Sequence, residues 1–348
     1  MIETMPALVN YSSSPGAAEL RELPVPDIGE DDVLVAVGAV GVCGSDIHQY
    51  GGSHSWAVRY PVVLGHEFAG TVVKVGSRTC RFEVDAVVTA ETAAVVDQMS
   101  PFVRTGRYNL DPGRLGFGYG VDGAMAGFVK VPERLLHRVP DGLSMETAAL
   151  AEPCAVAYNA VCESTRIRPG DTVVIIGPGP IGLCATLLAR LSGANPLVVA
   201  GVARDGARLE LAASLGATAT FSSSPETLVR EVTSLTDGYG ADVVIDTAGV
   251  SATLELALSL VRPGGQVTKV GWGHDPCGFS LDPLVAKAVH LQGTFSHTWA
   301  MWEKVLHMLA TRQLDPSPLV QRVAPLSEWA DCFQAMRQGQ IIKAVLVP

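Results

Sequence analysis

The stretch Val173-Val174-Ile175-Ile176-Gly177-Pro178-Gly179-Pro180-Ile181-Gly182 sets four β-branched residues directly before a Gly-x-Gly-x-x-Gly string. A short apolar run of this kind reads as a buried strand, and the residues after it read as a helix. In that setting Gly177 permits the tight turn, Gly179 lets the backbone approach a pyrophosphate, and Gly182 lets the helix pack closely on the strand. The phosphates would sit at the helix N-terminus, where open N–H groups and the helix dipole favour anions. Glycine turns are common, so the string alone is weak. Strand, glycines, helix and a following strand occur here in order, which is the context a dinucleotide site requires.

Downstream, strand candidates at 172–176, 197–201, 243–246 and 266–270 alternate with helical stretches at 181–191, 207–215, 225–235 and 252–261. Such alternation implies a parallel sheet with right-handed crossovers. Upstream the pattern differs. Val33-Leu34-Val35-Ala36-Val37 and Ala69-Gly70-Thr71-Val72-Val73-Lys74-Val75-Gly76 read as strands bounded by turn formers, and helical periodicity is scarce before about residue 144. Helical runs at 301–309 and 329–337 precede a last strand at 343–347, and this tail is expected to rejoin the first part. The fold class is α/β: a β-rich domain of residues 1–154 and 295–348 with a Rossmann nucleotide-binding domain, residues 155–294, inserted into it. Two domains also suit 348 residues at roughly 150 per domain.

Composition narrows the partners. With 48% hydrophobic and 17% charged residues the chain is globular, and a net charge of −10 argues against nucleic acid or an anionic membrane surface. No apolar run reaches the length of a bilayer span, and no secretory signal is evident after Met1-Ile2-Glu3. The seven cysteines are scattered without paired spacing and read as reduced thiols in the cytosol.

The second nucleotide strand bears on the choice of cofactor. NAD enzymes place an acid about 20 residues beyond the glycines to hold the ribose 2′-OH. Here Val198-Val199-Ala200-Gly201-Val202-Ala203-Arg204 puts Gly201 at that place. A glycine leaves room for a 2′-phosphate that Arg204 or Arg208 could pair bidentately, so NADP is preferred over NAD. The alternative is that both arginines are solvated and Asp205 takes the ribose. The full set of expected cofactor contacts is Gly177, Gly179, Pro180, Ile181, Gly182, Gly201, Arg204, Arg208 and Ala248.

Three polar residues far apart in the chain, Cys43, His66 and Glu152, form a candidate ligand set for one metal. A thiolate, an imidazole and a carboxylate suit Zn²⁺, and three protein ligands leave a fourth position open. Each alone has a plain structural reading: a packed cysteine, a hydrogen-bonded histidine, a surface acid. Their motifs are Gly41-Val42-Cys43-Gly44-Ser45-Asp46-Ile47-His48, Tyr60-Pro61-Val62-Val63-Leu64-Gly65-His66-Glu67 and Ala149-Leu150-Ala151-Glu152-Pro153. With the glycine fingerprint and the 343–348 terminus, these motifs make the whole chain resemble the zinc-dependent medium-chain dehydrogenase/reductase family. The branch is that of polyol and related secondary-alcohol dehydrogenases, the sorbitol and threonine enzymes among them. The resemblance implies a GroES-like fold for the β-rich domain. It also implies catalytic zinc on Cys43 and His66, with Glu67 and Glu152 as direct or exchangeable ligands, and a proton relay through Ser45 and His48. The implied reaction is hydride transfer between a secondary alcohol of polyol or sugar type and NAD(P), zinc acting as a Lewis acid.

The chain departs from the family in one lobe. Arg104-Thr105-Gly106-Arg107-Tyr108-Asn109-Leu110 matches the frame around a structural zinc, yet the four cysteine positions read Asp97, Ser100, Val103 and Asp111. A valine cannot ligate, so one catalytic and no structural zinc is expected, with the lobe held by packing and salt links. By correspondence with the family, Tyr50, His54, Trp56, Phe117, His297 and Trp299 are candidates for the substrate pocket, and Cys154 is a remote substitute ligand. The resemblance also implies a homo-dimer or homo-tetramer, with Gly271-Trp272-Gly273 and the 289–295 segment as a candidate sheet edge. Two other classes stay open: a zinc-free NADPH-dependent quinone or enone reductase of the same fold, and a non-catalytic nucleotide-binding protein.

Overall fold

The computed structural model describes residues 3–273 and 275–348. By contacts the chain divides into two compact units, Met1–Glu152 with His297–Pro348, and Pro153–Ser296. The expected boundaries lie two residues from these at each junction.

The Pro153–Ser296 unit is built on a six-stranded sheet in the order Ala219–Phe221, Leu197–Ala200, Val173–Ile176, Ala241–Asp246, Val261–Lys269, His290–Gly293. All neighbours are parallel. The first strand in the sequence lies at the centre, so the strand order reverses direction beside it, and ligands of such sheets bind at that switch point. Its residues Val173, Val174 and Ile175 are fully buried, as their unbroken β-branched run requires. The four expected strands appear in place, and the last of them is longer than expected, because Val261 starts a strand directly where helix Ser251–Leu260 ends. Ala219–Phe221 escaped notice since it has only three half-buried residues and no apolar run.

The other unit holds a seven-stranded sheet in which Val320–Pro325, Lys343–Val347, Asp32–Gly41, Glu67–Val75, Val87–Ala90 and Leu136–Arg138 follow one another, with Phe128–Pro132 also paired to Asp32–Gly41. A separate three-stranded sheet comprises Ala18–Pro24, Thr4–Asn10 and Val62–Val63. The C-terminal strand does rejoin the first part: Val345 pairs with Gly41 and Leu346 with Val40. Helices Gly44–Tyr50 and Trp329–Arg337 meet through aromatic edges, Tyr50 against Trp329 and Phe333 with ring centroids 5.4 and 5.8 Å apart.

Register decides which residues meet at one end of the large sheet. Gly41 pairs with Glu67, so Cys43, just past one strand, lies beside His66, just before the next. Lys343 opens the C-terminal strand at the same end, where Val42 N–H donates to the Ala344 carbonyl at 2.9 Å. Thr89 pairs with Ala69 and with His137, which brings Glu91 and His137 there too. Among the described residues, no helix is long and apolar enough to cross a membrane.

Candidate metal centre and nucleotide site

Cys43 is the N-cap of helix Gly44–Tyr50, and the Asp46 side chain accepts its backbone N–H at 2.9 Å. The other oxygen of Asp46 lies 3.6 Å from His66 Nδ1. One carboxylate therefore fixes the Cys43 backbone and faces the His66 imidazole at Nδ1, leaving His66 Nε2 for the cluster, the usual outer-shell arrangement for a metal-binding histidine. Burial alone would push the His66 pKa down, but Asp46 and Cys43 outweigh it and hold it well above the ordinary imidazole value. Ser45 Oγ is 3.5 Å from His66 Nε2, and His48 Nδ1, on the exposed side of the helix, is 3.1 Å from Ser53 Oγ. Ser45 is not the helix cap.

Ligand atoms of Cys43, His66 and Glu67 all lie within 4.8 Å of one another. Glu67 and Lys343 form a buried ion pair, each side chain 1% exposed. Gly41 makes room for it: a Cβ there would collide with the Glu67 carboxylate and sit 3.2 Å from Lys343 Cε. Burial raises the Glu67 pKa and is only partly offset by Lys343, while Glu67 Oε1 is buried without a hydrogen-bond partner. A thiol, an imidazole nitrogen and an unsatisfied carboxylate oxygen converging in this way fit a zinc ion.

Glu152 stands slightly apart from the expected triad. His297 Nε2 lies 3.6 Å from its Oε1, and the tightest group takes Glu67 in its place. The Glu152 carboxylate still feels the cluster: burial would raise its pKa, and His297, His66 and Lys343 together lower it. Cys154, the substitute ligand, instead has its sulfur 3.8 Å from that of Cys184. Of the pocket candidates, Phe117 belongs to the core, packing edge-on against Phe68 at 5.7 Å, and Tyr50 is partly buried against that core. His297 is 2% exposed and sits between the Glu91 and Glu152 carboxylates. His54 and Trp56 remain half-buried together, with ring centroids 5.4 Å apart, and Trp299 is exposed.

Sequence reasoning missed Asp46, Lys343, Glu91 and His137. The first carries the i, i+3 spacing of a capping box after Cys43. Lys343 and Glu91 each stand as a lone charge at the end of an otherwise apolar strand, which is the signal that could have found them.

In the lobe, three of the four positions, Asp97, Ser100 and Asp111, are linked by hydrogen bonds around one carboxylate. Asp111 accepts from the backbone N–H of Asp97 at 2.8 Å, and its pKa is lowered by this bond and by those from Gly113 and Ser100. Arg107 lies over the Phe102 ring at 5.6 Å in the same lobe.

At the nucleotide site, Gly177 has φ +99°, a left-handed conformation that side chains resist. A Cβ on Gly182 would strike the Gly177 carbonyl, and Gly179 faces open space as the N-cap of helix Pro180–Leu191, with Pro180 and Ile181 opening its first turn. Ala248 lies beside Gly177, within 3.1 Å of where a Cβ would be. A carboxylate stands beside Gly201: Asp205 Oδ2 lies 3.0 Å from where a Gly201 Cβ would be. Asp205 is held there by the Val202 N–H at 2.9 Å and Arg208 Nη1 at 3.6 Å, whereas Arg204 is exposed.

Comparison with known proteins agrees with both halves. Residues 29–141 match the alcohol dehydrogenase GroES-like domain, and residues 180–311 match the zinc-binding dehydrogenase family. Over 347 residues the chain is 33% identical to D-arabitol-phosphate dehydrogenase of Enterococcus avium, covering 99% of this chain and 98% of the relative. It is 35% identical to sorbitol dehydrogenase of Halalkalibacterium halodurans, covering 99% of each. A protein of Sinorhizobium meliloti described as a zinc-binding dehydrogenase, solved with NADP bound, superposes with a TM-score of 0.89 at 29% identity over 99% of both chains. With relatives matched from end to end and both halves in the expected order, this chain belongs to the zinc-dependent medium-chain dehydrogenase family, in its polyol branch, and is an alcohol oxidoreductase that uses NAD(P).

Proposed function

We propose that the chain oxidises a polyol or sugar-type secondary alcohol at a single zinc held by Cys43, His66, Glu67 and Glu152. The observation carrying this reading is the convergence of the Cys43, His66 and Glu67 ligand atoms within 4.8 Å. When bound, zinc supplies the Lewis acidity that lowers the pKa of an alcohol hydroxyl, and the nicotinamide supplies the hydride acceptor. The chain's own residues do the rest. Asp46 holds the Cys43 backbone and the imidazole in register, and Glu67 is shared between the cluster and Lys343. Ser45, beside His66, receives the hydroxyl proton, and exposed His48 hands it to solvent. The polyol class is supported by the relatives named for sorbitol and arabitol phosphate.

Arg204 and Arg208 favour NADP, and the Sinorhizobium protein with NADP bound supports that preference. Asp205 beside Gly201 favours a second reading, in which it holds the ribose of NAD. Asp111 takes over the lobe, so the zinc content is one per chain. The exposed edge strand His290–Gly293, close in sequence to the Trp272–Phe295 aromatic pair at 5.7 Å, is where a homo-dimer or homo-tetramer would form. With no disulfide among its seven cysteines, we place the protein in the cytoplasm.

The test is metal content on protein purified without added zinc, with activity measured after chelation. About one zinc per chain, lost together with activity, is expected. Two zincs would mean that the lobe binds metal, and an active enzyme without zinc would overturn the mechanism.

A further inference from the structure

Four titratable side chains, Tyr108, Glu91, His297 and Glu152, run in a line behind the metal cluster with His137 branching from Glu91, and the reaction as described uses only the last. Tyr108 Oη donates to Glu91 Oε2 at 2.5 Å and accepts from the Trp299 N–H. Glu91 Oε1 meets His137 Nε2 at 3.3 Å, while its Oε2 is 3.7 Å from His297 Nδ1. His297 Nε2 is 3.6 Å from Glu152 Oε1 and 3.4 Å from Thr92 Oγ1. Glu91, His137, His297 and Glu152 are all buried, at 1%, 0%, 2% and 7% exposure. Burying so many ionisable groups is costly unless opposite charges face one another, and His297, whose Nδ1 has no hydrogen-bond partner, depends on the carboxylates on either side of it.

A purely structural role accounts for part of it. His137, bonded to Glu303 at 2.5 Å and stacked 5.7 Å from Trp302, fastens helix Trp299–Ala310 to the sheet. That fastening needs Glu91, His137 and Glu303 only. His297 and Glu152 extend the line past it, to the end of the sheet where Cys43 and His66 converge. Its other end is Tyr108, in the lobe around Asp111.

We propose that Tyr108, Glu91 and His297 are positioning residues that set the orientation of the Glu152 carboxylate and thereby the zinc affinity of the site, so that the lobe supports the catalytic metal. This rests on Glu152 facing the zinc. Outer-shell partners of metal ligands are worth 10- to 100-fold in affinity. The imidazole of His297, wedged between two carboxylates, is what keeps Glu152 from turning away.

The experiment measures the zinc dissociation constant of the full-length chain by competition with a chelating dye, using zinc alone as the probe. His297→Gln is expected to weaken zinc roughly 10- to 100-fold. Tyr108→Phe keeps the ring and removes only the hydroxyl, so it folds even if His297→Gln does not. It should weaken zinc in the same direction by a smaller factor. In a Glu152→Gln background His297→Gln should add nothing, and the ligand-field bands of the cobalt-substituted protein should shift in the single His297 variant. Normal affinity in both His297→Gln and Tyr108→Phe, with Glu152→Gln impaired, would overturn the proposal. Normal affinity in Glu152→Gln would instead remove Glu152 from the metal site, a failure of the underlying reading.

Discussion

The two sites of this molecule are assembled in opposite ways. The nucleotide site is essentially one contiguous stretch, 173–182, in which strand, turn and helix N-terminus follow each other along the chain. The candidate metal site draws on segments around residues 43, 66 and 343, brought together by strand register, and on Glu152 of helix Ala151–Tyr158. In the first, neighbours in sequence are neighbours in space, so steric rules for single glycines carry the argument. In the second, the energetics sit in buried charges whose partners come from distant strands. Local sites are legible and robust; register-built sites concentrate their risk in a few side chains.

The largest expected effect separates the two. Cys43→Ser should reduce turnover by more than the roughly 100-fold that loss of an outer-shell partner causes, with zinc lost and dinucleotide affinity unchanged. Turnover and metal content together check this, and unchanged turnover would return the zinc-free reductase to consideration.

Next comes the buried pair. Lys343→Met strands the Glu67 carboxylate and should destabilise the zinc-free protein by about 3–5 kcal/mol in urea titration. The loss should shrink when zinc is added, because Glu67 then has the metal as a partner. An equal loss with and without zinc would separate Glu67 from the site.

The corresponding defect in the local site is smaller. Gly182→Val drives a side chain into the Gly177 carbonyl and should cost about 1–3 kcal/mol through overpacking, with weaker dinucleotide binding seen by fluorescence titration. Zinc content should not change. Smallest of all, replacing Arg204 and Arg208 by alanine should weaken NADP about tenfold, the worth of one charge-assisted hydrogen bond, and leave NAD alone. A loss confined to NAD would assign the ribose to Asp205.

These contrasts mark how far the sequence could be read. Val173–Gly182 announced its strand, turn and helix because β-branched residues and glycines act on their own backbone. Cys43, His66 and Glu67 were legible only through resemblance, since nothing in their local sequence says that their side chains meet. Lys343 was invisible as a site residue because its role depends on pairing with Glu67, 276 positions away. The sequence marks His297 only as a pocket candidate and passes over Glu91 and His137. Their mutual burial follows from Thr89 pairing with His137 and from where helix Trp299–Ala310 lies.

By itself the amino-acid order determined the α/β class, the dinucleotide fingerprint and the chemical types of the metal ligands, because propensity, periodicity and donor chemistry belong to single residues and near neighbours. Only the tertiary structure decided that Glu67 rather than Glu152 joins the tightest ligand group, that Asp205 fills the space beside Gly201, and that Asp111 gathers hydrogen bonds in the lobe. Each of those outcomes turns on distances between groups that chain connectivity leaves free, and electrostatic and steric energies depend on those distances.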